Sequence, residues 1–340
     1  MPTKKSIIEW ILATVLALLL VAAAFGFLFG FIVVRNNSMS PSLQDGDFLL
    51  IKKWKIHHQV KLPFSTYNQL DNNPQQFVFQ LPQFGQHDWN YDDLVVFNRH
   101  YKYASASTIK RIVALPGDTF KLKHRNIYLN NKKVNTTYPL SHNYRVNFIN
   151  DSAETFLIDS LKNAAPAKLS GGFWLLNLTD KDYKSLAKKK EIKLIRPIFQ
   201  VASETDKSIW PHWNRYGWNR DNVGPIWIPK KGDSLKLDFN NFQIYAKLIA
   251  QYENNFVTKH GYKKFYVNGV ESEYYQFKKD YVFVLGDNRH YALDSRHFGP
   301  IPIDCIQAQA QRLIFGTFDL GNLSETFNKN RFWKALTAKK

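Results

Sequence analysis

An unbroken apolar run, ILATVLALLLVAAAFGFLFGFIVV (Ile11–Val34), constrains this chain more than any other segment. A helix rises about 1.5 Å per residue, so a run of that length reaches roughly 36 Å, and the hydrocarbon core of a bilayer is ~30 Å thick. The run predicts a membrane-spanning helix. Ser6 and Glu9 read as a capping box that opens it, and Trp10 as an interface anchor. A cleavable leader has a shorter apolar stretch and a small-residue cleavage site, so an uncleaved anchor is expected. A buried core helix would carry polar positions at helical spacing, which the run lacks. Lys4 and Lys5 precede the span, whereas Arg35, Lys52, Lys53 and Lys55 follow it, so charge does not set the topology.

Four residues beyond the run stands Ser38, in NNSMSPSLQDGD, a position that must lie at the membrane surface. A reactive serine there would act on something that also sits in the membrane. Pro41 fixes its own φ and pushes Ser40 towards an extended backbone, giving a rigid loop; a simple membrane-exit turn has the same signature.

The formal net charge of +18 points to an anionic surface, lipid or nucleic acid. Apart from Lys188–Lys190 the lysines are scattered, and no helix-turn-helix or zinc-finger spacing accompanies them, so nucleic acid is not expected as a partner. An electrostatic aid to lying on anionic lipid fits better. Cys305 is the single cysteine, which excludes an intramolecular disulfide and a Cys-rich zinc site. The ten histidines lack metal-ligand spacing; His57 and His58 are neighbours in an extended run and face opposite ways. No G-x-S-x-G elbow or phosphate-binding P-loop is present. No metal or organic cofactor is expected.

Beyond the anchor the pattern is one of short extended runs. FLLIKKWKI (Phe48–Ile56), DLVVFNRH (Asp93–His100), STIKRIVAL (Ser107–Leu115) and DYVFVLG (Asp280–Gly286) read as strands. NIYLNNKKV (Asn126–Val134) and KFYVNGVES (Lys264–Ser272) read as hairpins turned at Asn130-Asn131 and Asn268-Gly269. LPGDTFKL (Leu115–Leu122) is echoed by IPKKGDSLKL (Ile228–Leu237), as a duplicated unit or as ordinary turn chemistry. No long amphipathic helix is expected after residue 60. The fold class is therefore mainly β, with antiparallel sheets and one N-terminal transmembrane helix. Residues 137–227 read as polar and loop-like, part of an inserted subdomain whose tryptophans (IWPHWNRYGWNRDN, Ile209–Asn222) form its small core or meet substrate or lipid headgroups.

Lys110 lies in a strand pattern on the face of Ile112 and Ala114. A lysine turned into apolar surroundings loses hydration of its ammonium, and the neutral form is favoured. A neutral lysine can take the proton of a serine hydroxyl, the Ser-Lys form of nucleophilic catalysis; most strand lysines instead snorkel into water.

Taken together, SMSPSLQDGD, DDLVVFNRH, TIKRIVALPGD and LGDNRHYALDSRHFGPIP resemble, in this order, the successive boxes of bacterial type I signal peptidases. These are membrane-anchored Ser-Lys endopeptidases that remove signal peptides from exported preproteins. The resemblance covers the anchor, residues 36–134 and residues 280–316; the region between resembles the enlarged cap of longer family members. It implies an anchor over 1–35, a catalytic β domain in two parts (36–134 and 280–316), an inserted cap over 135–279 and a tail over 317–340. It also implies a single pass through the bacterial inner membrane, with the catalytic domain on the extracytoplasmic side.

By position, Ser38 corresponds to the nucleophile and Lys110 to the general base. The Ser38 N–H and the side chain of Asn36 correspond to the oxyanion hole, Asn36 standing where a hydroxyl residue is often found. Arg111, Gly286, Asp287, Asn288, Arg289, Asp294, Ser295 and Arg296 would hold the lysine strand and the floor of the site. Small pockets would accept small residues at the first and third positions before the cut. The chain departs from the family at Ala292, where a serine usually orients the lysine, and Tyr291 and Leu293 are also unusual. Ser40, Ser295 or a water would have to stand in for that hydroxyl. Two alternatives remain: a catalytically weak homologue that binds signal peptides or membrane partners, supported by Ala292, and a self-cleaving repressor-like Ser-Lys protease, against which the anchor argues.

Overall fold

The computed structural model describes residues 4–53, 88–98, 107–161, 165–316 and 331–336. His57, His58, Lys55 and the far ends of two expected strands (residues 54–56 and 99–100) lie outside these.

The apolar run divides in two. Helix α1 (Lys4–Leu28) takes most of it, and Phe29–Val33 forms strand β1. The helix expected to continue to Val34 thus ends at Leu28. FGFIV is aromatic and β-branched, and as a strand it gains a full antiparallel ladder with β2 (Phe48–Lys53), Phe29 opposite Lys52 and Val33 opposite Phe48. Phe31 stacks on Phe48 at 5.3 Å, and Phe48 on Phe315 at 4.7 Å. A Cβ on Gly30 would sit 2.7 Å from Lys53 Cε, the far end of a flexible side chain that can move aside. Among the described residues no helix is long and apolar enough to cross a membrane. The apolar side chains of α1 are nonetheless unburied: Trp10, Leu12, Leu16, Leu19 and Val21 are all exposed.

The main sheet is antiparallel throughout and has the order β1-β2-β20-β3-β4-β18-β19. Its remaining members are β3 (Leu94–Phe97), β4 (Thr108–Ala114), β18 (Tyr281–Leu285), β19 (Ile301–Pro302) and β20 (Ile306–Phe315). The short β21 (Lys334–Ala335) pairs with β20, and Arg331 next to it forms an ion pair with Asp47. The four expected strand segments thus lie in one sheet, and β4 is flanked on both sides, by β3 and β18. Every residue of β4 after Thr108 is buried.

A second sheet, β12-β5-β6-β7, joins β5 (Thr119–Lys123), β6 (Asn126–Leu129), β7 (Lys132–Lys133) and β12 (Val223–Trp227). The expected β6–β7 hairpin turns at Asn130 and Asn131, with φ of 51° and 66°. Asparagine tolerates that left-handed backbone, which the tight hairpin turn needs at both positions. The other hairpin, β15 (Lys264–Val267) to β16 (Val270–Glu271), turns at Asn268 and Gly269 and is extended by β14 (Val257–His260). The two echoed segments share a glycine turn, at Gly117 (φ 93°) and Gly232 (φ 91°). They then diverge: the first leads into β5, the second into β13 (Ser234–Lys236), which pairs with β17 (Tyr274–Gln276).

Two expectations are corrected. A 15-residue amphipathic helix, α4 (Phe239–Glu253), follows β13. Phe242, Tyr245, Leu248, Ile249 and Tyr252 line its buried face at helical spacing, Asp238 caps its start and Asn254 ends it in a left-handed conformation. Nor is 137–227 loop-like. It holds the sheet β11-β8-β10-β9, made of β8 (Ser141–Phe148), β9 (Ala167–Lys168), β10 (Phe173–Thr179) and β11 (Ile192–Pro197), with helices α2 (Asp151–Ser160) and α3 (Asp180–Leu186). Tyr144, Val146, Leu157, Leu176, Leu178 and Leu186 form its own core. Trp210 and Trp218 are not in that core. They pack with Phe120, Tyr245 and Phe283, in the cluster that joins β5, α4 and β18.

Candidate active site

Ser38 lies in a single 3-10 turn, Asn37–Met39, directly after β1 and buried with Met39. Leu43, whose N–H bonds the Met39 carbonyl, is fully buried and anchors the loop. Lys110 is the third residue of β4, opposite Val95 of β3. Seventy-two positions apart in the chain, the two side chains meet: Lys110 Nζ donates to Ser38 Oγ at 2.7 Å. Lys110 is only 2% exposed and Ser38 7%. Removing an ammonium from water disfavours its charged form. Nζ also donates to the Ile109 carbonyl at 2.8 Å, so the lysine is aimed by two acceptors.

Ala292, where the resemblance implies an orienting hydroxyl, is buried against Gly286. A Cβ on Gly286 would fall 2.2 Å from Ala292 Cβ and 2.6 Å from the Ser38 carbonyl, so a glycine is required there. Ser295 Oγ is committed elsewhere, accepting from the Val284 N–H at 3.0 Å.

The last box clamps the serine loop. Asn288 N–H donates to the Ser38 carbonyl at 3.1 Å, and Asn288 Nδ2 to the Asn37 carbonyl at 3.1 Å. Arg111 grips Asp287 through two bonds, Nε to Oδ1 at 2.9 Å and Nη2 to Oδ2 at 2.6 Å. It also donates to the Asp92 carbonyl and lies 3.9 Å over the Tyr138 ring. Both partners are buried, so removing one leaves an uncompensated charge. Asp287→Ala is therefore expected to lower stability by about 3–5 kcal/mol, read as a fall in urea midpoint.

Asp294 begins α5 (Ser295–Phe298), accepts from the Gly286 N–H and pairs with Arg296 at 2.8 Å. Burial alone would raise its carboxyl, but the Arg296 guanidinium beside it, with a smaller contribution from the His297 side chain, holds it below its ordinary value. Arg296 also donates to the carbonyls of Arg220 and Arg289. Arg289 itself is buried, which pushes its guanidinium down, and that group makes no hydrogen bond among the described residues. What Arg289 contributes is backbone: its N–H donates to the Ser141 carbonyl.

The side chain of Asn36 folds back onto the serine turn. Its Oδ1 accepts from the Ser38 N–H at 3.0 Å, so it occupies the predicted oxyanion donor instead of adding a second one. To donate, the amide must turn over. Asn36 sits at φ 152°, a strained backbone that fixes the approach of its side chain.

Sequence reasoning missed the part played by the sheet β11-β8-β10-β9. Ser141 of β8 bonds the Asp287 carbonyl through its N–H, and Asn177 of β10 donates to Asn288 Oδ1 at 3.1 Å. The Asn143 N–H donates to His290 Nδ1. Nothing in the sequence of 137–227 marks these contacts, because they depend on pairing across more than a hundred residues.

His142 and His290 lie beside this junction, ring to ring at 5.8 Å. Burial first, then the cations Arg125, Arg289, His290 and Arg296, hold His142 down at about 2. Burial likewise lowers His290 to about 4, with Arg125, Arg296 and Arg220 adding and Asp221 opposing. Unfolded, both titrate near ~6.5, so the unfolded chain binds more protons on acidification. Stability is full above that value and is lost as pH falls below it. His142 is expected to cost about 2 kcal/mol by pH 5, seen as a falling urea midpoint that His142→Phe makes shallower, the His290 share remaining.

Two cavities meet at Ser38. One, of about 330 Å³, is lined by Ile32, Val33, Val34, Met39 and Ile109, with Arg35, Asn36, Ser38, Ser107 and Thr108. The other, about 530 Å³, is polar and includes Asn36, Asn37, Ser38, Gln44, Asp45 and Asn288. A buried hydroxyl in contact with a buried amine, between two clefts, suits nucleophilic attack on an extended chain. Among the described residues no group of acidic, histidine or cysteine side chains is placed to hold a metal.

The sequence profile of the family "Signal peptidase, peptidase S26" matches residues 7–184 and 230–315. "Signal peptidase I P" of Bacillus subtilis subsp. natto is 30% identical over 135 residues, 40% of this chain and 57% of that relative. The chain thus spans little more than half the length of that relative. "Signal peptidase I" of Bacillus licheniformis is 27% identical over 192 residues, 56% of this chain and 83% of the relative. "Inactive signal peptidase IA" of Staphylococcus aureus is 23% identical over 134 residues, 39% of this chain and 59% of the relative.

Proposed function

Because the chain belongs to the family Signal peptidase, peptidase S26, we propose that it is a membrane-bound serine endopeptidase that removes N-terminal signal peptides from exported preproteins, with Ser38 as nucleophile and Lys110 as general base. The observation that carries this reading is the 2.7 Å contact between the two buried side chains.

The cleavage segment lies extended through the apolar cleft, with small residues at the first and third positions before the cut. Lys110 removes the Ser38 proton as Oγ attacks the carbonyl. The carbonyl oxygen displaces Asn36 Oδ1 from the Ser38 N–H, and the turned Asn36 amide donates through Nδ2. The carbon–nitrogen bond breaks, and the proton held by Lys110 passes to the departing amine. Water, activated by the same lysine, then releases the acyl group. The Ile109 carbonyl does part of the orienting that a hydroxyl at 292 would do. Arg111, Asp287, Arg289, Asp294, Ser295 and Arg296 support the site without touching substrate.

Membrane placement belongs to the same proposal. The unburied apolar surface of α1 has no protein cover among the described residues, and lipid would supply it. Phe31, Val33, Phe332 and Trp333, also exposed, lie on or beside β1 and β21, two strands of the main sheet, and suit the lipid surface. The net charge of +18 favours anionic headgroups. We place the anchor as a single pass through the bacterial inner membrane, with the catalytic part on the extracytoplasmic side.

A second reading, a weak or inactive homologue that binds signal peptides, is favoured by the Asn36 carbonyl on the Ser38 N–H. Incubating the full chain in detergent with several preproteins separates the two. Release of the mature product supports the peptidase; binding without product supports the second reading.

A further inference from the structure

The loop that carries Ser38 is tied shut at its two ends. Val34 N–H donates to the Asp47 carbonyl at 2.9 Å, and Gly46 N–H to the Val34 carbonyl at 2.9 Å. The Asp47 side chain adds a third tie, Oδ2 accepting from the Gln44 N–H at 2.7 Å. That side chain is completely buried. A buried carboxylate needs a partner cation. Here the cation is Arg331, whose Nη2 bonds Asp47 Oδ2. Burial pushes the Asp47 carboxyl up, and the Gln44 N–H, then Arg331 and Lys334, pull against it.

Arg331 stands 284 positions further along the chain. It also lies beyond residue 315, where the match to the family profile ends. The segment that bears it is docked on the main sheet. β21 pairs with β20, Trp333 N–H donates to the Ile314 carbonyl at 3.1 Å, and Leu336 N–H to the Gln311 carbonyl at 2.9 Å. Arg312 donates in turn to the Trp333 carbonyl at 3.2 Å. Leu336 packs against the apolar cluster that contains Val34, Met39, Leu43 and Leu49. Residues 331–336 thus reach the serine loop twice, through the charge at Asp47 and through the cluster that holds Met39.

We propose that Arg331 is a positioning residue for the nucleophile: by neutralising Asp47 it keeps the 34–47 loop closed and fixes where Ser38 Oγ meets Lys110. The proposal rests on the peptidase reading. Arg331 acts through Asp47 and touches no reacting atom. The contact it protects is the 2.7 Å one between Lys110 Nζ and Ser38 Oγ. A displacement of about 1 Å at a reacting pair costs on the order of 10²-fold in rate. Without the guanidinium, the Asp47 carboxyl takes up a proton or draws in water, and its hold on the Gln44 N–H loosens. The cleft walls at Ile32, Val33, Thr108 and Ile109 belong to β1 and β4, so substrate binding is expected to change less than turnover.

The test assays the full chain in detergent on a synthetic signal-peptide substrate, with thermal melts on the same preparations. The variants are Arg331→Ala, Arg331→Lys, Asp47→Asn and the one carrying both Asp47→Asn and Arg331→Ala. Arg331→Ala is expected to lower kcat about tenfold to hundredfold, with KM within about twofold of wild type. Arg331→Lys keeps the cation, and a single bond does not need the guanidinium fork, so kcat is expected to return to within about threefold of wild type. The double variant leaves no buried charge at residue 47. It is expected to match Asp47→Asn alone and to exceed Arg331→Ala, a non-additivity that a general loss of packing does not produce. Where Arg331→Ala does not fold, the lysine and double variants carry the same comparison. Wild-type kcat in Arg331→Ala, an effect on KM alone, an equal loss in Arg331→Lys, or a double variant no better than Arg331→Ala overturns the proposal while leaving the peptidase intact. No turnover by wild type overturns the peptidase reading, and this one with it.

Discussion

Preprotein cleavage by Ser38→Ala is expected to fall to background, a loss of at least ~10³-fold in kcat. The substitution removes one oxygen from a buried turn whose backbone is held by Asn288 and Leu43, so the fold has little reason to change. Lys110 Nζ keeps the Ile109 carbonyl as an acceptor when Oγ is gone. An unchanged melting temperature alongside lost product release separates a chemical effect from unfolding. Residual cleavage above background would place the nucleophile elsewhere.

Lys110→Met should cost about 10²–10⁴-fold in rate, the usual contribution of a general base, and more if the serine alone is inert. Methionine matches the length and flexibility of the lysine stem, and the site is 2% exposed. Exchanging a buried polar nitrogen for an apolar group of similar volume is commonly neutral or stabilising. The expected pattern is thus lost rate with stability kept or raised, read by initial rates and thermal melts on one preparation. That opposition is what marks a residue placed for chemistry; a structural lysine would lose both together.

Much of this site was legible in the chain because its parts are local and short. The β-branched run around Lys110 becomes β4, and the proline-braced loop after the apolar run holds Ser38 beside it. Asn-Asn and Asn-Gly pairs turn where positive φ is needed. What escaped notice has other causes. The strand β1 is carved from an apolar run that also suits a helix, and only the ladder with β2 decides between them. The helix α4 was present as Phe242, Tyr245, Leu248 and Tyr252 at helical spacing, but asparagines and aromatics blur that pattern. Asn36 Oδ1 accepts from the Ser38 N–H, and residue type does not fix which end of an amide faces a given N–H. The tryptophans near residue 210 pack into the larger core through long-range contacts that no local pattern announces.

Trapping the covalent acyl intermediate on Ser38 discriminates directly for or against the Ser38–Lys110 mechanism. The detergent-solubilised chain is mixed with a synthetic signal-peptide substrate, quenched in acid within the first turnover and digested, and the acyl adduct is located by mass spectrometry. The account predicts the mass of the signal-side product on Ser38 in wild type, and no adduct in Lys110→Met. An adduct on another residue, or turnover by Lys110→Met at the wild-type rate, would contradict it.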